Sequence, residues 1–122
     1  MKTPIDVPTL IADTRQRIAE MTPAAALARQ SEGATLIDVR DDHERATGMP
    51  TGAAGVSRGF LELRIAKLVP DAEHEVLVMC GSGMRSLLAA DTLRRMGYTH
   101  VASVAGGFAR WKAEGLPVDA TE

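Results

Sequence analysis

The residue best suited to chemistry in this chain is Cys80, the only cysteine among 122 residues. It follows an apolar run at 76–79 and precedes a glycine-containing segment at 81–86. The run predicts a buried strand and the residues from Arg85 onward predict a helix, so the thiol lies where a strand turns into a helix N-terminus. Backbone N–H groups converge at such a turn, and the helix dipole favours negative charge there. We therefore expect a thiol that ionises easily.

A lone cysteine beside an apolar strand is often an inert core thiol, so the neighbouring residues decide between the two interpretations. Arg85 is the only charged side chain between Val76 and Ala90, which predicts a cationic field with no opposing carboxylate, and Ser86 adds a hydroxyl donor. Low-pKa cysteines occur at helix N-termini and beside basic side chains. We expect the pKa of Cys80 to lie below its unperturbed value of about 8.5. The predicted anion cradle consists of Gly81, Ser82, Gly83, Met84, Arg85 and Ser86.

Composition excludes several classes of function. Fourteen basic and sixteen acidic residues give a net charge of −2, which argues against nucleic-acid binding. The three histidines are far apart in the sequence and predict no metal site, and nothing indicates a cofactor. The first 21 residues are neither a signal peptide nor a membrane span, because acidic residues interrupt their apolar positions. We expect one cytoplasmic domain without a membrane partner.

The elements that must position the cysteine follow from hydrophobic spacing and turn residues. Apolar side chains at helical spacing between Leu10 and Met21 predict an amphipathic helix, so residues 1–21 form an expected helical extension ahead of a main domain at 22–122. Asp41 and Glu44 have the spacing of a capping box. The predicted strands are 34–39, 54–57, 76–79 and 101–104, and the predicted main helices are 23–30, 60–68, 85–96 and one carrying Phe108 and Trp111.

Strands and helices therefore alternate along the chain. Such alternation predicts an α/β fold with a mostly parallel sheet and helices on both faces, whose active site lies at the carboxyl ends of the strands. Asp38, Arg40 and Cys80 all fall at these ends.

From about Thr22 to Val118 the chain resembles a single-domain rhodanese, a member of a sulfurtransferase family. Four stretches carry the resemblance: Leu36-Ile37-Asp38-Val39-Arg40, the 48–53 loop with Glu44 upstream, Cys80-Gly81-Ser82-Gly83-Met84-Arg85-Ser86, and Gly106-Gly107-Phe108-Ala109-Arg110-Trp111 with Gly115-Leu116-Pro117-Val118. The resemblance implies a five-stranded, mostly parallel sheet wrapped by helices, with Cys80 as the catalytic cysteine. One departure is visible, since the family's usual Gly-His-Ile-Pro-Gly-Ala reads Gly-Met-Pro-Thr-Gly-Ala at 48–53. The histidine is lost, but both glycines of the turn are kept.

The resemblance also helps to separate sulfur chemistry from phosphate chemistry. Phosphatases that resemble this fold, and unrelated tyrosine phosphatases, place five residues between cysteine and arginine. Four residues separate Cys80 from Arg85 here. The smaller ring of N–H groups suits a single transferable sulfur better than a tetrahedral phosphoryl group, so phosphatase or arsenate chemistry is the less favoured alternative.

The resemblance implies transfer of a sulfane sulfur from a donor such as thiosulfate, through a Cys80 persulfide, to cyanide or a thiol. A persulfide carrier or docking module that receives sulfur from a partner protein is the main alternative. Arg85 is expected either to hold the anionic donor or to cap the loop through its carbonyls. Arg58 is either a pocket residue, as in relatives with a similar stretch, or an ordinary solvated arginine. Asp38 and Arg40 are expected to form a supporting ion pair, since a carboxylate near Cys80 would oppose the thiolate.

Overall fold

The computed structural model describes residues 1–120, in which strands and helices alternate. The strands are β1 (Ala19–Met21), β2 (Thr35–Asp38), β3 (Met49–Pro50), β4 (Ala54–Gly55), β5 (Val76–Met79), β6 (Val101–Val104) and β7 (Val118–Asp119). The α-helices are α1 (Val7–Arg15), α2 (Pro23–Ser31), α3 (Asp42–Arg45), α4 (Leu61–Leu68), α5 (Met84–Arg95) and α6 (Gly107–Ala113). Across residues 1–120, no helix is both long and apolar enough to pass through a membrane.

Five of the strands form one parallel sheet in the order β1-β6-β5-β2-β4, which confirms the predicted α/β fold. The carboxyl ends of parallel strands share one edge of a sheet. Cys80 follows β5 at this edge, and the pair Asp38 and Arg40 stands at the end of neighbouring β2. The remaining strands, β3 and β7, form a small antiparallel pair that the sequence did not predict.

Alternating side chains of the central strand β5 face two separate apolar layers. Val76, Val78 and Cys80 pack in one layer with residues from α1, α4 and α5. Leu77 and Met79 pack in the other layer with residues from α2 and α6. This period of two places the cysteine on the α5 face of the sheet, and both faces carry helices as predicted.

The N-terminal segment differs from its prediction. Helix α1 ends at Arg15, and Ala19–Met21 forms β1, which pairs in parallel with β6 at the edge of the main sheet. The predicted helix is therefore wrong for residues 16–21, because strand pairing outweighs the helical spacing of Ile18 and Met21. The proposed division into residues 1–21 and 22–122 also cuts through this sheet, and its last two residues lie outside the described ones.

Candidate active site

Cys80 begins a short loop that joins β5 to α5 at the carboxyl edge of the sheet. Its residue is buried, with 1% of its surface exposed. Gly83, the residue before α5, has φ of 108°, a left-handed conformation that glycine adopts without steric cost. The loop thereby turns its backbone back toward the cysteine, and the Gly83 N–H donates a hydrogen bond to Sγ at 3.1 Å. The sequence had predicted this arrangement.

Two buried serine hydroxyls connect Sγ to the neighbouring strand. Oγ of Ser86 lies 3.4 Å from Sγ of Cys80, 3.2 Å from the Gly83 carbonyl oxygen and 2.7 Å from Oγ of Ser103. A hydroxyl has one proton to donate and can also accept. When Cys80 is a thiolate, Ser86 can donate to the sulfur while Ser103 donates to Ser86. Ser103, on β6, was not singled out in the sequence, where nothing distinguishes it from an ordinary strand serine.

The pKa of Cys80 lies below its ordinary value. Burial raises this pKa. The hydrogen bonds from the Ser86 side chain and from the backbone N–H groups of Ser86, Gly83 and Ser82 together lower it by a larger amount. The direction agrees with the sequence prediction. The cause is local hydrogen bonding to the thiolate within the cradle.

Replacing Ser86 with alanine should raise the pKa of Cys80, because the thiolate loses its hydroxyl donor while burial remains. The midpoint of alkylation by iodoacetamide should move to higher pH, and the rate at neutral pH should fall by about tenfold, as expected for one hydrogen bond to a charged group. Ser31→Ala is the matched control, since its hydroxyl donates to the Leu27 carbonyl on the surface. An unchanged midpoint in Ser86→Ala would contradict this account.

The start of α6 supports the loop from the opposite face of the sheet. The Phe108 N–H donates to the Cys80 carbonyl at 2.7 Å, and the Ala109 N–H donates to the Gly81 carbonyl at 3.1 Å. In a trans peptide the C=O and N–H groups point in opposite directions. Fixing these two carbonyls toward α6 therefore turns the amides of Gly81 and Ser82 away from it, and the Ser82 amide is one of those that lower the pKa of Cys80.

Gly107 allows this close approach. Its φ is 58°, and a Cβ built there would lie 2.4 Å from the Cys80 carbonyl oxygen and 2.7 Å from the Gly81 carbonyl carbon. Any side chain at this position would collide with the backbone of the loop. The sequence indicated a turn at Gly106-Gly107 but not this contact, which is visible only once α6 is packed against the loop.

Arg85 is not an unopposed cation, and this part of the sequence analysis is wrong. Its Nη1 and Nη2 donate to Oε1 and Oε2 of Glu44 at 2.8 and 2.9 Å. Glu44 also accepts the Asp41 N–H at 3.1 Å within the predicted capping box. The Arg85 guanidinium, followed by the Asp41 N–H, outweighs burial and holds the pKa of Glu44 at about 2. The carboxylate comes from α3, outside the stretch of sequence in which only Arg85 is charged.

Asp38 and Arg40 form the expected ion pair. Arg40 is 4% exposed and Asp38 is fully buried, and Nη2 of Arg40 lies 2.8 Å from Oδ2 of Asp38. The guanidinium also donates to the carbonyl of Gly48 at 2.7 Å and lies 3.9 Å from the centre of the Phe108 ring. Arg40 thus joins the end of β2 to α6 and to the start of the altered 48–53 loop, in a supporting position.

Two further residues complete the comparison with the sequence. Arg58 donates to Oε1 of Glu62 at 2.8 Å and to Oγ1 of Thr92 at 3.2 Å, so its hydrogen bonds within residues 1–120 go to α4 and α5 rather than to the Cys80 loop. Met84 is 45% exposed at the start of α5. The side chain of Met84 is thus largely exposed, and the hydrogen bonds of the Arg58 guanidinium go to Glu62 and Thr92.

One cluster in the described part of the chain has the residue types of a metal site. It consists of Asp41, His43 and Glu44 at the start of α3. Both carboxylate oxygens of Glu44 already bind Arg85, so an ion there would have to displace that pair. The arrangement fits an ion pair better than a metal centre.

Known proteins resemble this chain in sequence and in structure. A family model described as Rhodanese-like domain matches residues 22–114. The chain is 37% identical over 90 residues to thiosulfate sulfurtransferase GlpE of Actinobacillus pleuropneumoniae serotype 7, covering 74% of this chain and 82% of the relative. It is 34% identical over 103 residues to the protein of the same name from Haemophilus influenzae, covering 84% of this chain and 95% of the relative.

Two solved structures extend the likeness beyond the matched region. The polysulfide-sulfur transferase homodimer of Wolinella succinogenes gives a TM-score of 0.81 at 34% identity, covering 91% of this chain and 85% of that one. A protein of Rhodopseudomonas palustris, described as of unknown function and a possible tyrosine phosphatase, gives 0.86 at 28% identity, covering 98% and 99%. The last similarity includes the N-terminal segment that precedes the family match.

Proposed function

The chain belongs to the rhodanese-like family, and from this premise we propose that it is a sulfurtransferase in which Cys80 carries the transferred sulfur. The observation that supports this most directly is the environment of Sγ. It is buried at the start of a loop, receives the Gly83 N–H at 3.1 Å, and has a lowered pKa. These properties suit a nucleophile that must bear negative charge both before and after it accepts a sulfur atom.

In the first half-reaction, the Cys80 thiolate attacks the outer sulfur of thiosulfate. A bond forms between Sγ and that sulfur while the sulfur–sulfur bond of the donor breaks, and the electron pair leaves with sulfite. The products are a Cys80 persulfide anion and sulfite, so the total charge of three negative units is unchanged. No proton transfer is required.

In the second half-reaction, an acceptor attacks the outer sulfur of the persulfide. Cyanide yields thiocyanate, and a thiolate yields a new persulfide; in both cases the electron pair of the broken bond returns to Sγ as thiolate. The negative charge therefore moves from Sγ to the outer sulfur in the first half-reaction and returns to Sγ in the second.

The loop can stabilise the negative charge as it moves between the two sulfur atoms. The amides of Ser82, Gly83 and Ser86 are fixed by the fold before any substrate arrives, and the carbonyls of Cys80 and Gly81 are held on the opposite side by α6. Donors fixed in advance stabilise developing charge without reorganisation during the reaction. Their placement around Sγ supports persulfide formation at this residue.

Loading with thiosulfate should add a single sulfur atom to the intact protein, detected by mass spectrometry, with release of one equivalent of sulfite. Later addition of cyanide should remove that atom and form thiocyanate. Cys80 is the chain's only cysteine, so the added atom can be assigned without peptide mapping. Absence of the mass gain would contradict the proposal, whereas loading without turnover would favour a persulfide carrier supplied by a partner protein.

A phosphatase is the second candidate, because one similar structure is described as a possible tyrosine phosphatase. Binding of a phosphoryl group by Arg85 would require its guanidinium to leave Glu44, to which both terminal nitrogens are bound. Four residues separate Cys80 from Arg85, one fewer than in the phosphatases, so the ring of amides is smaller than the ring that holds a phosphoryl group in those enzymes. Cys80-dependent hydrolysis of p-nitrophenyl phosphate, with no sulfur transfer, would support this candidate instead.

A further inference from the structure

An ion pair lies directly against the backbone of the cysteine loop. Arg85, at the second position of α5, and Glu44, on α3, are joined by two hydrogen bonds of 2.8 and 2.9 Å. A Cβ built on Gly81 would lie 3.3 Å from Nη2 of Arg85 and 3.8 Å from Oε2 of Glu44. The pair therefore covers the residue next to the nucleophile, in the space that a side chain at position 81 would enter.

The pair is also more exposed to solvent than the cysteine beside it. The side chains of Arg85 and Glu44 are 42% and 28% exposed, whereas Cys80 is 1% exposed. An attacking thiolate requires the leaving group on the far side of the transferred sulfur, in line with Sγ. Because Sγ belongs to a buried residue, the leaving group of a donor has to extend from Sγ toward solvent.

Glu44 keeps its negative charge over the whole working range of pH, since its pKa is about 2. Arg85 interacts electrostatically with both Cys80 and Glu44, and also with Asp41. The carboxylates thus offset the only cation supplied by the loop itself. Less of the Arg85 charge is then available to an anionic donor, so backbone amides contribute more to its binding, and the Glu44 carboxylate beside Gly81 repels a second negative charge.

We propose that Glu44 is a specificity-determining residue that sets the charge class of the sulfur donor, disfavouring dianions such as thiosulfate relative to singly charged thiosulfonates and persulfides. This inference rests on the proposed sulfurtransferase function. It adds that the preferred class of donor depends on a residue outside the Cys80 loop.

Two donors of matched chemistry test the proposal. Thiosulfate carries two negative charges, and methanethiosulfonate has the same S–S bond but carries one, because a methyl group replaces an anionic oxygen. Attack by Cys80 on its outer sulfur gives the same persulfide and releases methanesulfinate. The ratio of kcat/KM for the two donors isolates the effect of the extra charge from any general effect on the cysteine.

In Glu44→Gln, Arg85 keeps its charge but loses the carboxylate that binds both of its terminal nitrogens. We expect the thiosulfate to methanethiosulfonate ratio of kcat/KM to rise about three- to tenfold at low ionic strength, as estimated for one unit charge at a solvated site. The gain should come mainly from a lower KM for thiosulfate. It should shrink as salt is added, because screening weakens exposed charges.

Two further variants separate charge from structure. Glu75→Gln removes a carboxylate from a similar bidentate pair with Arg29, placed just before β5 and so at the opposite end of this strand from Cys80, and should leave the ratio unchanged. Glu44→Asp keeps the charge but shortens the side chain, so its ratio should stay close to that of the unaltered protein even if its activity falls.

The proposal is overturned if Glu44→Gln lowers kcat/KM for both donors by the same factor, or if Glu44→Asp shifts the ratio as Glu44→Gln does. Either result would make Glu44 a purely structural residue. These outcomes differ from failure of the proposed function, in which neither donor would load sulfur onto Cys80 in the unaltered protein. If Glu44→Gln does not fold, an altered ratio in Glu44→Asp is sufficient to overturn the proposal.

Discussion

Cys80→Ser should abolish sulfur transfer, with thiocyanate formation reduced on the order of 10⁴-fold or more, as is typical when a covalent nucleophile is removed. A serine hydroxyl is almost never ionised near neutral pH, and an oxygen at this position cannot store a sulfane sulfur as a persulfide. The measurement combines a thiocyanate assay with intact mass after incubation with thiosulfate. Neither turnover nor the mass gain of one sulfur atom should be detectable.

The serine variant should still fold, which makes the loss interpretable. Oγ can accept the Gly83 N–H in place of Sγ, and it can hydrogen-bond to Ser86 within the same buried space. Thermal unfolding should therefore stay close to that of the unaltered protein. Turnover that persists in this variant at the original rate would exclude Cys80 as the sulfur carrier.

Gly107→Ala should produce the second-largest loss, although this residue makes no hydrogen bond to the sulfur. Its new methyl group would lie 2.4 Å from the Cys80 carbonyl oxygen, so the backbone of either the loop or α6 has to move. Displacement of catalytic groups by about 1 Å can cost about 100-fold in rate. We expect kcat/KM to fall by about that factor and the melting temperature to fall as well, measured on the same preparation.

Gly115→Ala provides the matched control for the backbone effect. Gly115 also has positive φ, at 73°, but nothing lies within 4 Å of a Cβ built there. An alanine in the left-handed conformation costs about 1–2 kcal/mol at either site. Both variants should lose stability, but only Gly107→Ala should lose activity per folded molecule, and equal activities would refute the steric explanation.

The central part of the fold could be predicted because its signals are local. Strands β5 and β6 match their predicted bounds, since both are short apolar runs rich in β-branched residues and bounded by turn residues. The position of Cys80 follows from these strands, because a parallel sheet brings their carboxyl ends together. Its cradle was predictable for the same reason, as glycine and serine follow the strand directly.

The charge around the cradle could not be predicted in this way. Glu44 precedes Arg85 by 41 residues, and its spacing from Asp41 already had a local explanation as a capping box. The carboxylate serves both roles at once, and only the packing of α3 against the loop reveals the second. Strand β1 was missed for a related reason, because Ala-Glu-Met has little β propensity of its own and forms a strand through its pairing with β6.

The pairing of β1 with β6 gives the N-terminal residues a protective role. A chain shortened to begin at Thr22, where the family match starts, would leave the outer side of Val101–Val104 without a partner strand. It would also uncover apolar surface that Ile11 and Ile18 now bury. An unpaired strand beside exposed apolar surface is a template for association between chains. Strand β1 thus completes the sheet. Because it is short and carries the charged Glu20 at its centre, it is also a poor template for pairing with another chain, which disfavours aggregation.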